Sequence, residues 1–280
     1  MILVADSGST KTDWCLIDDN SENKFFETKG FNPYLNTEKE ITEELISTLI
    51  SQLSNTKITN IYFYGAGCAN EKLCSIVEFA LIEVFPESQI QVEHDLLGAA
   101  RALCQNEAGI AVILGTGSNS CVYDGKNIIQ HIPALGYTLG DEGAGSQIGK
   151  QLLKAYLHQQ LPKELNDSFQ EQYNSNFSEV METIYKKPFP NRYMSSFCPF
   201  VSQNISNPFC KALVKRCFED FFVTYISKYD NIQSYTFNCV GSIGYYFKDI
   251  LKEVALQFGI KIGTIVQKPM DGLIKYHTKN

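Results

Sequence analysis

Asp6-Ser7-Gly8-Ser9-Thr10-Lys11-Thr12 gathers a carboxylate, a glycine, several hydroxyls and a lysine into one short stretch. It lies between Ile2-Leu3-Val4 and Trp14-Cys15-Leu16-Ile17. Continuous aliphatic residues suit a buried strand, so both flanks read as strands. The link between them is too short for a crossover helix, which predicts an antiparallel hairpin. Inward-turned amides of a Gly/hydroxyl turn form a concavity for anions. Asp6, at the strand end, can hold Mg²⁺ directly or through water. A polar turn of this composition is ordinary on its own. A second one stands far down the chain: Ala108–Leu114 is apolar, Gly115-Thr116-Gly117-Ser118-Asn119-Ser120 follows, then Cys121-Val122-Tyr123. Two such hairpins facing each other would clamp a triphosphate from both sides.

Other stretches could meet a ligand. Asn32, in Gly30-Phe31-Asn32-Pro33-Tyr34, offers both donors and acceptors, as a sugar hydroxyl or an N-acetyl group requires. It could equally serve a local turn. Gly67 lies in a turn after a strand at Ile58–Tyr64, and ligands of α/β sheets sit at such carboxyl ends. Asp95 follows a short strand and precedes a small-residue helix. There it could cap the helix or act as a general base. Its neighbour His94 reads as structural. Gly136-Tyr137-Thr138-Leu139-Gly140-Asp141-Glu142-Gly143 is glycine-rich, and a helix from Gln147 to His158 follows, whose first amides could face a ligand. Gly241-Ser242-Ile243-Gly244 joins a strand at Tyr235–Val240 to a helix at Tyr245–Phe258. Its bare backbone would let a flat ring approach.

The positioning elements follow from periodicity. Thr37 and Glu40 predict a capping box, with Ile41, Leu45, Leu49 and Leu53 along one helical face. A strand is expected at Lys24–Thr28, a helix at Leu73–Val84, and another from about Phe209 to Tyr229. The Leu152–Pro208 region is helical, aromatic-rich and broken by prolines. An insertion of this kind often carries the contacts of a homodimer, and the role of 159–208 is not set by the sequence. A last strand at Ile262–Val266 precedes a short final helix.

Together these motifs resemble the actin/hexokinase/Hsp70-like ATPases, within which the BadF/BadG/BcrA/BcrD-type group that includes N-acetylglucosamine kinases is most similar. The resemblance covers nearly the whole chain. It implies an α/β fold of two actin-like (ribonuclease H-like) lobes, each a mixed sheet flanked by helices, with a cleft between them. The lobes would be 1–108 and 109–280, the final helix returning to the first. By resemblance, Gly8, Ser9, Thr10, Lys11 and Thr12 with Gly115, Thr116, Gly117 and Ser118 hold the phosphates of ATP. Asp6 holds Mg²⁺. Gly241, Ser242 and Gly244 meet the adenosine. Asn32, Gly67, Gly136, Asp141 and Glu142 meet the sugar, and Asp95 is the base. The implied activity is ATP-dependent phosphorylation of N-acetylglucosamine or a relative such as N-acetylmuramic acid. The same wider family contains ATPase activators of 2-hydroxyacyl-CoA dehydratases, which need cluster-holding cysteines. A sugar-sensing protein without turnover is a further alternative.

Composition narrows the classes. The 280 residues are 44% hydrophobic and 20% charged, as in a globular protein with a sizeable core. A formal charge of −7 gives no general attraction to nucleic acid or anionic lipid. There is no basic run, no apolar stretch of spanning length and no secretory pattern, so a cytoplasmic location without membrane or nucleic-acid partners is expected. The nine cysteines are scattered without a CxxC, so they read as small buried hydrophobes, and the zinc motif of ROK sugar kinases is missing.

Overall fold

The computed structural model describes residues 1–8, 10–18, 22–53, 56–174 and 176–278. Two compact units divide the chain. The first is Met1–Asn106 with Gly125–Asn127 and the segment from Pro269; the second is Glu107–Asp124 with Ile128–Lys268.

The first unit holds β1 (Ile2–Ser7), β2 (Lys11–Ile17), β3 (Lys24–Lys29), β4 (Asn60–Gly65) and β5 (Gln89–His94), in the order β3-β2-β1-β4-β5. β1 and β2 form the expected antiparallel hairpin, with β3 antiparallel on its far side and β4 and β5 parallel to β1. The second unit holds β6 (Gly109–Leu114), β7 (Ser118–Tyr123), β8 (Ile128–His131), β9 (Thr236–Val240) and β10 (Lys261–Val266), in the order β10-β9-β6-β7-β8. The pairings repeat the first unit strand for strand: an antiparallel β6-β7-β8 meander, then β9 and β10 parallel to β6.

The first sheet is covered on both faces. One face of the first sheet buries Leu3, Ala5, Trp14 and Leu16 against Leu45, Leu49, Val77 and Leu81. Trp14, Phe31 and Phe63 pack there as an aromatic cluster, with ring centroids 5.9–6.3 Å apart. The other face carries Val4, Cys15 and Ile17 against Met270 and Leu273. The capping box at Thr37 and Glu40 is present. The helix it opens runs Glu38–Glu44, then widens to a π-helical Leu45–Ile50 before Ser51–Leu53, so the expected single helix is interrupted. Among the described residues the nine cysteines form no disulfide, and all but Cys74 are buried. Among the described residues, no helix is long and apolar enough to cross a membrane.

The Met270–Thr278 helix lies against the Asp95–Cys104 helix at a distance only glycine permits: a Cβ on Gly272 would stand 2.3 Å from the Ala102 carbonyl oxygen. Gln105 Nε2 joins the two by donating to the carbonyls of Ala102 and Gly272, each at 3.0 Å. Tyr64 of β4 sits on Gly98, where a Cβ would meet its ring at 2.6 Å. The Tyr64 hydroxyl accepts from Arg101 Nη1 at 2.9 Å and lies 2.9 Å from His277 Nε2. Since Arg101 can only donate, the Tyr64 proton goes to a neutral His277. Burial, with Arg101 second, pushes His277 down to about 4. Its ring also stacks on Tyr62 at 3.8 Å.

A folded-state pKa below the ordinary His value means the unfolded chain binds the extra proton first. Stability contributed by neutral His277 is present above about pH 6.5 and is lost as pH falls towards 4. We expect His277→Phe, which keeps the stack, to show a smaller fall in Tm between pH 7 and 5 than the unsubstituted protein. Equal falls would remove His277 from this role.

Candidate functional site

Three chain segments leave the first sheet at one level. Ser7 of β1 pairs with Gly65 of β4, and Gly65 pairs with His94 of β5. The β1–β2 connection, the Gly65–Asn70 turn and Asp95 therefore emerge from adjacent carboxyl ends, with neighbouring strands about 4.8 Å apart. A buried pair of hydroxyls ties the segments together. Ser7 Oγ and Thr12 Oγ1 are 2.7 Å apart and wholly inaccessible. Ser7 Oγ also accepts the Phe31 amide at 3.0 Å, Thr12 Oγ1 donates to the Lys29 carbonyl at 3.0 Å, and the Ser7 carbonyl accepts the Ala66 amide at 2.8 Å. The Gly30 amide donates to the Thr10 carbonyl at 3.0 Å, so the 30–34 loop is fastened to the turn. Gly8 closes the turn through its amide to the Lys11 carbonyl at 3.0 Å. Ser9 lies outside the described residues.

Asn32 and Gly67 meet. A Cβ on Gly67, whose φ is +87°, would stand 2.3 Å from Asn32 Oδ1. That oxygen accepts the Tyr34 amide at 3.0 Å, which fixes the amide's orientation. Lys11 is engaged elsewhere than its expected phosphate role: its ammonium lies 2.6 Å from Glu27 and 2.9 Å from Asp13, and hydrogen bonds to these carboxylates raise its pKa.

Asp6 stands directly opposite Asp13 in the β1–β2 register, so their side chains share one face. Opposed carboxylates repel unless a cation lies between or beside them, and Lys11 supplies one to Asp13. Two hard oxygen donors suit Mg²⁺, which takes one or two carboxylates and fills its shell with water and phosphate oxygens. Among the described residues, no group of three or more His, Cys, Asp or Glu could hold a metal. Asp13 follows from the hairpin register once Ser7 is paired with Thr12; the sequence reading overlooked it.

Asp95 is the first residue of its helix, not its cap. The cap is His94, whose Nδ1 accepts the Leu97 amide at 3.2 Å. This frees the Asp95 carboxylate from the capping alternative. Burial pushes its pKa up to about 6, against the opposing pull of the Leu96 amide. Asp95 is half-buried and keeps some contact with solvent. Its charge also reaches Cys68, whose thiol burial pushes up to about 12.

In the second unit the β6–β7 turn is the counterpart of the first. The Gly115 amide donates to the Gly117 carbonyl at 3.0 Å. Three further hydrogen bonds hold this turn. The helix expected from Gln147 starts at Gly145, and its first two amides donate to the Gly115 and Thr116 carbonyls at 2.9 and 3.1 Å. Those N–H groups therefore brace the turn. Asp141, at φ +62°, accepts the Ser118 amide on Oδ1 at 3.2 Å, and a Cβ on Gly117 would stand 3.0 Å from the same oxygen. Its carboxyl is held above the usual range, chiefly by burial. Glu142 Oε2 accepts the Tyr225 hydroxyl at 3.0 Å. Gly136, at φ +71°, opens the short Gly136–Leu139 helix and has open space where a Cβ would be.

Gly241, at φ +121°, crosses the end of β6: a Cβ would stand 2.2 Å from the Leu114 carbonyl oxygen and 3.2 Å from the Gly115 nitrogen. The glycine element after β9 is thus packed onto the root of the β6–β7 turn. Gly244 is packed on Cys239, with a Cβ position 2.4 Å from its sulfur. Beside them lies a cavity of about 390 Å³ lined by Ser242, Ile243, Tyr246 and Phe247 with Cys198 and Pro199. The latter two come from a proline-broken region whose helices carried no local signal of a site.

Comparison with known proteins places this arrangement. The BadF/BadG/BcrA/BcrD ATPase family model matches residues 5–204. The chain belongs to this ATPase family. A structure from Porphyromonas gingivalis, provisionally named an N-acetylglucosamine kinase, is 39% identical over 100% of this chain and 99% of that one, with a TM-score of 0.95. A Chromobacterium violaceum protein given the same provisional name is 18% identical, covers 98% of each chain and has a TM-score of 0.77. A ROK family glucokinase from Streptomyces griseus, in complex with glucose and AMPPNP, shares the fold at 14% identity and a TM-score of 0.60, covering 99% of this chain and 98% of that one. No curated protein matches the chain. The fold is therefore that of the actin-like sugar kinases.

For this family member, Gly241→Ala sets a methyl group against immovable backbone at a φ that L residues rarely adopt. We expect a loss of about 2 kcal/mol or more in denaturant unfolding. A change under about 0.5 kcal/mol would mean the contact relaxes freely.

Proposed function

We propose that this protein is an ATP-dependent kinase of N-acetylglucosamine or a closely related amino sugar. The observation that carries this proposal is the alignment Ser7–Gly65–His94. It sets a phosphate-type turn, a turn bearing the Asn32–Gly67 contact and the Asp95 carboxylate at one edge of one sheet. The 39% identical Porphyromonas gingivalis structure supports the choice of sugar.

In this mechanism the amides of the β1–β2 and β6–β7 turns receive phosphate oxygens, and Gly241, Ser242 and Gly244 border the adenine in the adjoining cavity. Asp6 and Asp13 would hold Mg²⁺, which neutralises phosphate charge when bound. Asn32, Gly67, Gly136, Asp141 and Glu142 bind the sugar, Asp141 also keeping the Ser118 amide in place. Asp95 accepts the proton of the sugar hydroxyl as that oxygen bonds to the γ-phosphorus and the bond to the β-phosphate oxygen breaks. Phosphoryl transfer asks for positioning and charge compensation more than covalent help. A carboxylate with a pKa near 6 is a stronger base than an exposed aspartate and is still ionised at neutral pH. The protein acts in the cytoplasm in this proposal, as an enzyme of amino-sugar metabolism.

ADP release measured over a panel of sugars with ATP and Mg²⁺ tests the proposal: turnover should be greatest with an N-acetylated hexosamine. No turnover with any sugar would overturn it. Asp95→Asn should lower kcat by roughly 10²–10⁴ with ATP binding retained. In the unsubstituted enzyme, activity should fall about tenfold per unit of pH below about 6, as the base becomes protonated. A flat acid limb would exclude Asp95 as base.

A further inference from the structure

Gln147 is a buried side-chain amide that touches none of the proposed ligand groups, yet both its ends are engaged. Its Oε1 accepts the Gly143 amide at 2.6 Å, and its Nε2 donates to Asp220 Oδ2 at 3.0 Å. Gly143 follows Asp141-Glu142 directly. Asp141 and Gly143 both have positive φ, +62° and +75°, so the chain here follows no regular ladder. The peptide between Glu142 and Gly143 is oriented by Gln147.

One helix supports this loop from three places. The Pro208–Thr224 helix supplies Asp220, which holds Gln147, and Phe221, whose Cβ lies 2.8 Å from where a Gly143 Cβ would be. Tyr225, at its end, donates to Glu142. The loop in turn holds Asp141 on the Ser118 amide at the foot of the β6–β7 turn.

We infer that Gln147 and Asp220 are positioning residues of the Asp141 loop. They set the peptide after Glu142 and so keep the Asp141 carboxylate against the phosphate-type turn. The inference rests on the kinase proposal for the roles of that turn and of Asp141.

The polarity of the link provides the test. Glu at 147 keeps an acceptor for the Gly143 amide but loses the donor, and sets two carboxylates against each other. Asn at 220 in the same chain restores a donor, with the direction of the bond reversed. Q147E should raise KM for ATP and sugar about tenfold, with a smaller change in kcat. Q147E/D220N should recover most of that loss. Amide exchange across residues 140–147 should accelerate in Q147E and slow again in the double variant. A role in stability alone would lower Tm and the active fraction and leave the KM of the folded enzyme unchanged. Unaltered KM values in Q147E, or a double variant no better than the single one, would overturn the inference. If the unsubstituted protein turns over no sugar, the kinase proposal fails by itself. The exchange comparison then decides this inference: unaltered protection in Q147E overturns it.

Discussion

The contact between the Ser7 and Thr12 hydroxyls is the one on which the first unit's site depends. The two atoms are inaccessible to water, so each must find its partners in protein. Between them they connect both strands of the hairpin and the loop carrying Asn32, while the main-chain carbonyl of Ser7 holds the turn carrying Gly67. Segments far apart in the chain are fixed with respect to one another by a few short bonds where the strands end. A hydroxyl can donate and accept at once, which is why Ser and Thr serve at these positions and an aliphatic residue of equal size would not.

The second unit meets the same requirement with different chemistry. Its sheet repeats the first in strand order and direction. Its turn, however, is held by a carboxylate on the Ser118 amide and by the first amides of the Gly145–Leu157 helix. Asp95 and Asp141 both have raised pKa values caused first by burial. They differ in surroundings: Asp141 is occupied by Ser118 and has Glu142 beside it, whereas Asp95 meets mainly the amides of its own helix start. In the proposed mechanism this difference suits Asp141 to structure and binding and Asp95 to accepting a proton.

Much of this was legible in the sequence, because the informative signals were local. Both hairpins, the capping box at Thr37, the glycine element at Gly241 and the junction position of Asp95 follow from residue types over a few positions. What escaped was set by register or by distant packing. The edge strand Ile128–His131 is too short and too exposed to stand out. The pairing of Lys11 with Glu27 needs the β2–β3 register, and Asp13 opposite Asp6 needs the hairpin register. His94 displaced Asp95 as cap because imidazole Nδ1 can accept an amide as a carboxylate does. No periodicity announces that Gln147 will find Asp220, or that a π-turn will interrupt the helix after Glu44.

The cysteines have a consequence for handling the molecule. Thiol chemistry proceeds through the thiolate, and burial pushes Cys15, Cys68, Cys198, Cys210, Cys217 and Cys239 above the ordinary thiol range. Eight of the nine sulfurs are also shielded by packing. Burial raises the Cys74 thiol as well, and its Sγ donates to the Cys68 carbonyl at 3.6 Å, so the folded chain should react slowly with a maleimide or an alkylating reagent, and first at this half-buried position.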